Sequence, residues 1–228
     1  AAGSFNNPKL IEKNNLVATQ KIASSCLKHN VKLIHLSSTS VYGSTNDLVD
    51  ENCSIKDLNP QSPYAFTKLA EEKFILDLSN SKGLKASTCR FGTIFGSSIG
   101  MRFHTAVNKF CWQSAMGLPI TVWSTAYEQK RPYLDLNDAC NAIIHIIKMD
   151  LFNGEVYNVL TLNSTVKQIV ENIKQFVPDL KVKFVNEKIM NQLSYEVSNK
   201  KFKKTGFNFY GNINKSISET LKILNNKL

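Results

Sequence analysis

From Pro8 to about Asn30, apolar residues fall at Leu10, Ile11, Leu16, Val17, Ile22, Ala23 and Leu27, which predicts a helix closed by Lys28, His29 and Asn30. The run Val31 to Leu36 follows as a strand bounded by Ser37 to Ser40, and residues 43–62, rich in Ser, Asn, Asp and Pro, read as a long surface loop. Ser62 can cap a helix with Pro63 in its first position, where the missing N–H costs nothing; it runs from Tyr64 to about Leu78 and ends near Lys82-Gly83. Leu84 to Cys89 is the next strand. After a turn holding Gly92, Gly96, Ser97, Ser98 and Gly100, a helix is expected over His104 to Met116, then strands at Ile120 to Trp123 and Tyr133 to Leu136, then a helix opened by Asn137-Asp138. The rest predicts a strand at Val156 to Leu160, a helix at Thr165 to Phe176, strands at Lys181 to Val185 and Ser194 to Val197, and a last helix carrying Ile213, Ile217, Leu221 and Leu224. Helices alternating with strands imply crossover connections and a parallel sheet, so the chain is α/β.

Composition narrows the class. With 228 residues, 43% hydrophobic and 20% charged, the chain can bury a substantial core, and no apolar run approaches a membrane span. A cytoplasmic protein is expected, with no membrane partner. Five cysteines without a Cys-x-x-Cys pair and four histidines without metal-ligand spacing predict free thiols and no metal. His35 and His145 lie in apolar runs and read as core or boundary histidines. The net charge of +10 raises nucleic acid or an anionic substrate as partner. Lys200, Lys201, Lys203 and Lys204 form its densest cluster, but no aromatic residues alternate with a basic stripe, which disfavours nucleic acid. The opening Ala1-Ala2-Gly3 lacks an initiator Met, so the chain is expected to be a piece of a longer one.

Tyr64 and Lys68 stand four apart at the start of a helix and share a face. Tyr-x-x-x-Lys alone is a weak signal. A strand ending in Leu36-Ser37-Ser38-Thr39-Ser40 lies upstream, however, and ligands of parallel α/β sheets bind at the carboxyl ends of strands. A hydroxyl at that strand tip would complete a proton-transfer trio. The nearby ammonium should favour phenolate and lower a phenol pKa that is ordinarily about 10.

The sequence resembles the NAD-dependent epimerase/dehydratase family of extended short-chain dehydrogenases. Ser38 matches within Ser-Ser-Thr-Ser-Val-Tyr-Gly, and Tyr64 and Lys68 within Ser62-Pro63-Tyr64-Ala65-Phe66-Thr67-Lys68. The likeness continues in order through Ala1-Ala2, Asn15-Leu16-Val17-Ala18-Thr19, Arg90 to Gly96, Lys130 to Asp138 and Gly154 to Val159. It implies an α/β, Rossmann-like doubly wound parallel sheet, N-terminally truncated so that the Gly-x-x-Gly-x-x-Gly turn is missing, with a smaller C-terminal α/β substrate-binding domain. Residues 1–93 would be the remaining part of the NAD(P)-binding domain, with about 132–160 returning to it, and 94–228 mainly the substrate-binding domain.

The resemblance also implies site residues. Ser38, Tyr64 and Lys68 would be catalytic. Ala1, Ala2, Asn15, Ser37, Tyr64, Lys68 and Phe91 would bind the cofactor, NAD or alternatively NADP. Thr39, Ser40, Thr93, Arg102, Asn108 and Arg131 would face the substrate, a nucleotide-diphosphate sugar, with Arg131 on the diphosphate. Thr39 and Ser40 stand where dehydratases of the family carry carboxylates, which favours an epimerase over a dehydratase. Thr93 replaces a substrate-contacting Asn, and Leu193 stands where an Arg often precedes Ser-Tyr. A keto-sugar reductase, or a non-catalytic relative serving as a binding module with RNA as a candidate ligand, are the alternatives. A homodimer through the helix bearing Tyr64 and the long helix before it would be in keeping with the family.

Overall fold

The computed structural model describes residues 7–43, 48–53, 58–186 and 194–225. Asn7 caps the first helix by accepting the Leu10 N–H, with Pro8 in the first turn. Helix α1 (Pro8–Glu12) passes through one π turn (Lys13–Val17) into α2 (Ala18–Lys28). The expected single helix is thus interrupted by a wider turn, which resets the face that α2 presents to its neighbours. Ala23 is buried on that face, with Cys26 and Leu27 packed beside it.

Strand β1 (Leu33–Ser38) starts later than predicted because Val31 and Lys32 stay exposed, and it continues through Ser37 and Ser38, which pair with Arg90 and Phe91. Its neighbour β3 (Ala86–Phe91) is buried at every residue. With β7 (Val156–Val159) these strands form an all-parallel sheet in the order β1-β3-β7. Alternating residues serve opposite faces. Leu33 and Ala86 pack with Ala23 and Ile75, whereas Ile34, Cys89 and Val159 pack with Ala142 and Ile146. Helices therefore cover both sides, as the complete burial of β3, polar residues included, requires.

Helix α3 (Pro63–Lys82) is the longest element of the described chain. The Ser62 side chain accepts the Ala65 N–H, Pro63 occupies the first turn, and Gly83, at φ +73°, ends the helix in the left-handed conformation that suits glycine. Its buried residues include two adjacent carboxylates, Glu71 and Glu72.

A second sheet joins β4 (Thr93–Phe95) to β6 (Lys130–Asp135) in parallel and β6 to β8 (Leu162–Thr165) antiparallel. Two further parallel pairs complete the strands: β5 (Ile120–Trp123) with β9 (Val182–Val185), and β2 (Leu48–Val49) with β10 (Glu196–Val197). Helices α4 (Ala106–Ala115), α6 (Val166–Lys174) and α8 (Ile213–Asn225) enclose a core of Phe95, Phe110, Ile169, Ile173, Ile217 and Leu221. Helix α5 (Leu136–Lys148) opens at an Asp135 cap, two residues before the predicted Asn137-Asp138.

The lysine cluster forms a short helix, α7 (Lys200–Lys203), that was not anticipated. Lys201 pairs with Glu155 at 2.6 Å and lies over the Tyr157 ring, and Lys203 lies over Phe209. Part of the cluster is thus committed within the molecule. The five cysteines carry free thiols. His145 bonds to Thr205 at 2.9 Å and meets Phe202 and Phe207 edge-on, the boundary role expected of it. Among the described residues, no helix is long and apolar enough to cross a membrane.

Candidate active site

Ser38 ends β1 because its side chain accepts the Ser40 N–H at 3.2 Å and turns the chain into a single 3-10 turn, Thr39–Val41. The cap of α3 then brings Tyr64 onto the same strand end, where a hydrogen bond links its phenol to the Ser38 hydroxyl. Lys68, one turn further on, holds its ammonium 6.0 Å from the centre of the Tyr64 ring. The structure therefore brings the three residues together at the carboxyl end of a parallel strand.

The electrostatics differ from the expectation. Burial pushes the Tyr64 phenol above its ordinary value, the Glu71 carboxylate raises it further, and the Ser38 bond opposes both. Lys68 does not act as the neighbour that lowers it, because its ammonium donates to Glu71 Oε2 at 3.0 Å. The same oxygen accepts from Thr19 Oγ1 at 2.9 Å and lies 2.8 Å from His35 Nε2. Glu71 is completely buried. Burial alone would favour its neutral form, but His35, Lys68 and Thr19 together hold its carboxyl below the usual range. His35 thus belongs to the floor of the site as well as to the core.

Glu72, next in sequence, points to a separate buried network. It accepts Arg90 Nε at 3.0 Å and Arg90 Nη2 at 2.7 Å, and also the Ser37 hydroxyl. Arg90 Nη1 donates to Tyr42 Oη at 2.8 Å, and Tyr42 donates on to Asn158 at 3.0 Å. This network locks α3 to β1, β3 and β7 and so fixes the height of Tyr64 over the strand ends.

The remaining sequence-predicted residues scatter around this centre. The Ser37 hydroxyl is spent on Glu72. Phe91, paired with Ser38, offers its carbonyl to Thr39 Oγ1 at 3.3 Å. Thr39 is buried and also lies 3.5 Å from Tyr195 Oη. Ser40 keeps a buried hydroxyl with no hydrogen-bond partner among the described residues. Asn15 sits half-buried in the π turn. Thr93 opens β4 and pairs with Tyr133. Asn108 is buried and accepts the Gly96 N–H at 3.2 Å, so its carbonyl braces the turn after β4. Arg131 is half-buried on β6; burial pushes the Tyr133 and Tyr195 phenols up, and the nearby Arg131 guanidinium only partly opposes it. Arg102 is exposed in the segment before α4. Ala1, Ala2 and Leu193 lie outside the described residues. Glu71, Glu72 and Tyr195 escaped the sequence reading; only Glu71, three residues after Lys68 on the same helix face, left a signal there.

Residues 2–159 match the profile of the NAD dependent epimerase/dehydratase family. The chain is 29% identical over 149 residues to an uncharacterized UDP-glucose epimerase of Bacillus subtilis, across 64% of this chain and 45% of that protein. It is 26% identical over 215 residues to a trifunctional UDP-glucose 4,6-dehydratase, UDP-4-keto-6-deoxy-D-glucose 3,5-epimerase and UDP-4-keto-L-rhamnose-reductase of Arabidopsis thaliana, across 90% of this chain and 31% of that one. The chain therefore spans less than half the length of these relatives. Among solved structures, the UDP-N-acetylglucosamine 4-epimerase of Methanobrevibacter ruminantium, in complex with UDP-N-acetylmuramic acid, has a TM-score of 0.86 at 23% identity, covering 99% of this chain and 73% of that one. The UDP-glucose 4-epimerase of Thermus thermophilus, in complex with NAD, has a TM-score of 0.86 at 21% identity, covering 100% and 75%. At such identities these structures speak for a shared Rossmann-like fold. With the family profile covering well over half its length, the chain belongs to the NAD dependent epimerase/dehydratase family.

Proposed function

We propose that this chain carries the acid–base and substrate-facing machinery of a nucleotide-sugar epimerase. The observation that carries the reading is the Tyr64 phenol, bonded to Ser38 and backed by Lys68 at the end of β1. The residues present suit the polar end of a nicotinamide cofactor, taken as NAD. The Lys68 ammonium has three donors and spends one on Glu71, and the buried Ser40 hydroxyl has no partner among the described residues. When bound, such a cofactor supplies hydride exchange with a sugar carbon.

Tyr64 then moves the matching proton between its phenol and the sugar oxygen, while Ser38 holds that oxygen in line. Thr39 and Ser40 present hydroxyls rather than carboxylates beside the reacting carbon, which favours epimerisation over elimination. Arg131 takes the diphosphate of the substrate, for which a planar guanidinium is suited. Residues 1–93, with about 132–160, serve the cofactor side and 94–228 mainly the substrate. Two copies associate through α3 and the helix before it.

Tyr64→Phe tests this directly. Loss of a positioned acid–base typically costs about 10² to 10⁴ in rate. The full chain is expected to lose UDP-sugar epimerisation to that extent while its circular dichroism stays unchanged, and near-normal turnover would sink the reading. One feature favours a keto-sugar reductase instead: burial and the Glu71 carboxylate raise the Tyr64 phenol above its ordinary value, which suits an acid better than a base. Net consumption of reduced nicotinamide, in place of sugar interconversion without net redox change, would select it.

A further inference from the structure

Ser37 and Ser38 are consecutive residues at the tip of β1, and both are bonded to α3. Ser38 meets Tyr64 in the first turn of the helix, whereas the buried Ser37 hydroxyl donates to Glu72 Oε1 further along it. The stretch of helix from Tyr64 to Glu72 rises by about 12 Å along its axis, so the two contacts hold α3 at well separated points. The carboxylate does not need the Ser37 bond. Arg90 reaches Oε1 through Nε at 3.0 Å and Oε2 through Nη2 at 2.7 Å, so both oxygens already face a buried guanidinium. An alanine at position 37 would leave neither oxygen unmet, whereas a buried hydroxyl must itself find a partner. What the hydroxyl adds is geometry. Arg90 fixes Glu72 against β3, while Ser37 ties it to β1, the strand that carries Ser38. His35 ties the same strand to Glu71, but two residues further from Ser38.

We infer that Ser37 is a positioning residue for the acid–base pair: by its bond to Glu72 it fixes the backbone of Ser38 against α3 and so sets the separation of the Ser38 and Tyr64 hydroxyls. The inference rests on the acid–base reading of Tyr64. It gives Ser37 a part in the reaction through its neighbours, without contact to substrate or cofactor. The Ser38 side chain has little room to absorb a shift, since its oxygen also accepts the Ser40 N–H at 3.2 Å. A helix held at Tyr64 and Arg90 alone is free to slide along β1. A displacement of about 1 Å between reacting groups can cost about 10² in rate.

Ser37→Ala in the full chain is compared with Ser216→Ala, which removes another buried serine–carboxylate bond, from α8 to Asp135. Both should unfold at slightly lower denaturant. Ser37→Ala alone is expected to lower kcat for UDP-sugar epimerisation, by about tenfold, with KM held within about twofold because no substrate contact is lost. In a Ser38→Ala background the same substitution should cost no further rate, since no hydroxyl remains to be placed; a merely structural effect would be carried over in full. A readout without turnover accompanies these. In protein labelled with meta-fluorotyrosine, the Tyr64 fluorine resonance, assigned by its loss in Tyr64→Phe, should shift in Ser37→Ala and stay in place in Ser216→Ala. Where Tyr64→Phe is inactive, an unchanged kcat in Ser37→Ala, or a loss repeated in the Ser38→Ala background, overturns the inference. Normal turnover by Tyr64→Phe would instead sink the acid–base reading. The fluorine resonance then still decides whether Ser37 fixes the phenol, and an unmoved signal is fatal in either case.

Discussion

Glu72 and Arg90 are each about 5% exposed, so neither can lose the other without stranding a charge. Removing one partner of such a pair costs about 3–5 kcal/mol, whereas replacing both with apolar residues of similar size is often close to neutral. Glu72→Gln is therefore expected to lower stability by about that amount in urea unfolding, and Glu72→Leu combined with Arg90→Met to recover most of it. A single variant within about 0.5 kcal/mol of the parent would show the pair to be solvent-compensated. This is also the scale at which the sequence is least informative. Tyr64 and Lys68 are legible because helical spacing aligns them and Ser62-Pro63 marks the helix start. Two adjacent glutamates further along the same helix look like solvated surface, and only the packing of α3 on β1 and β3 turns them inward. The same blindness reverses the expected shift of Tyr64, since a neighbouring ammonium is visible in a sequence, whereas the burial of the phenol and of the Glu71 carboxylate that claims the ammonium is not.

Two carboxylates join several elements where α5 begins. Asp135 caps that helix through the Asn137 N–H and accepts the Ser216 hydroxyl of α8. Asp138 accepts the Thr161 hydroxyl and the N–H groups of Tyr210 and Gly211, so one carboxylate ties the approach to α8 against α5 and the β7–β8 turn. Gly211 fits because it has no side chain: a Cβ there would stand 2.4 Å from Asp135 Cβ and 2.7 Å from Asp138 Oδ2. Gly211→Ala must therefore push the segment off both carboxylates, at about 1–3 kcal/mol for the overpacking. The unfolding midpoint should fall accordingly, and an unchanged midpoint would mean that the strap before α8 yields freely. Helices with clear caps, such as α3 and α6, were legible to within a few residues. Strands β4 and β8 were not. Each has only three or four residues and follows a glycine or a turn, and its existence depends on pairing with β6 rather than on its own pattern.

At the scale of the whole molecule, alternation of helix and strand was enough to imply a parallel α/β sheet. It could not reveal that β2 finds β10, or β5 finds β9, because long-range pairing leaves no local period. The outer surface raises the last question. Leu10, Val17 and Phe66 project from the α1–α2 helix and from α3, Phe66 being 59% exposed. Between them lies a hollow of about 260 Å³ lined by Pro8, Glu12, Leu16, Pro63, Phe66 and Ala70. Two helices with an apolar ridge and a groove between them can receive the same pair from a second copy, since a twofold contact sets each ridge in the partner's groove. Phe66 would then sit near the centre of the contact, where a large aromatic contributes most. Phe66→Glu should leave the fold intact, because that side chain already faces outward, while placing a carboxylate at the contact. Light scattering of the full chain is expected to give twice the chain mass at micromolar concentration and the single mass for Phe66→Glu. A parent chain that is monomeric throughout that range, or a variant that still dimerises, would place the contact elsewhere or remove it.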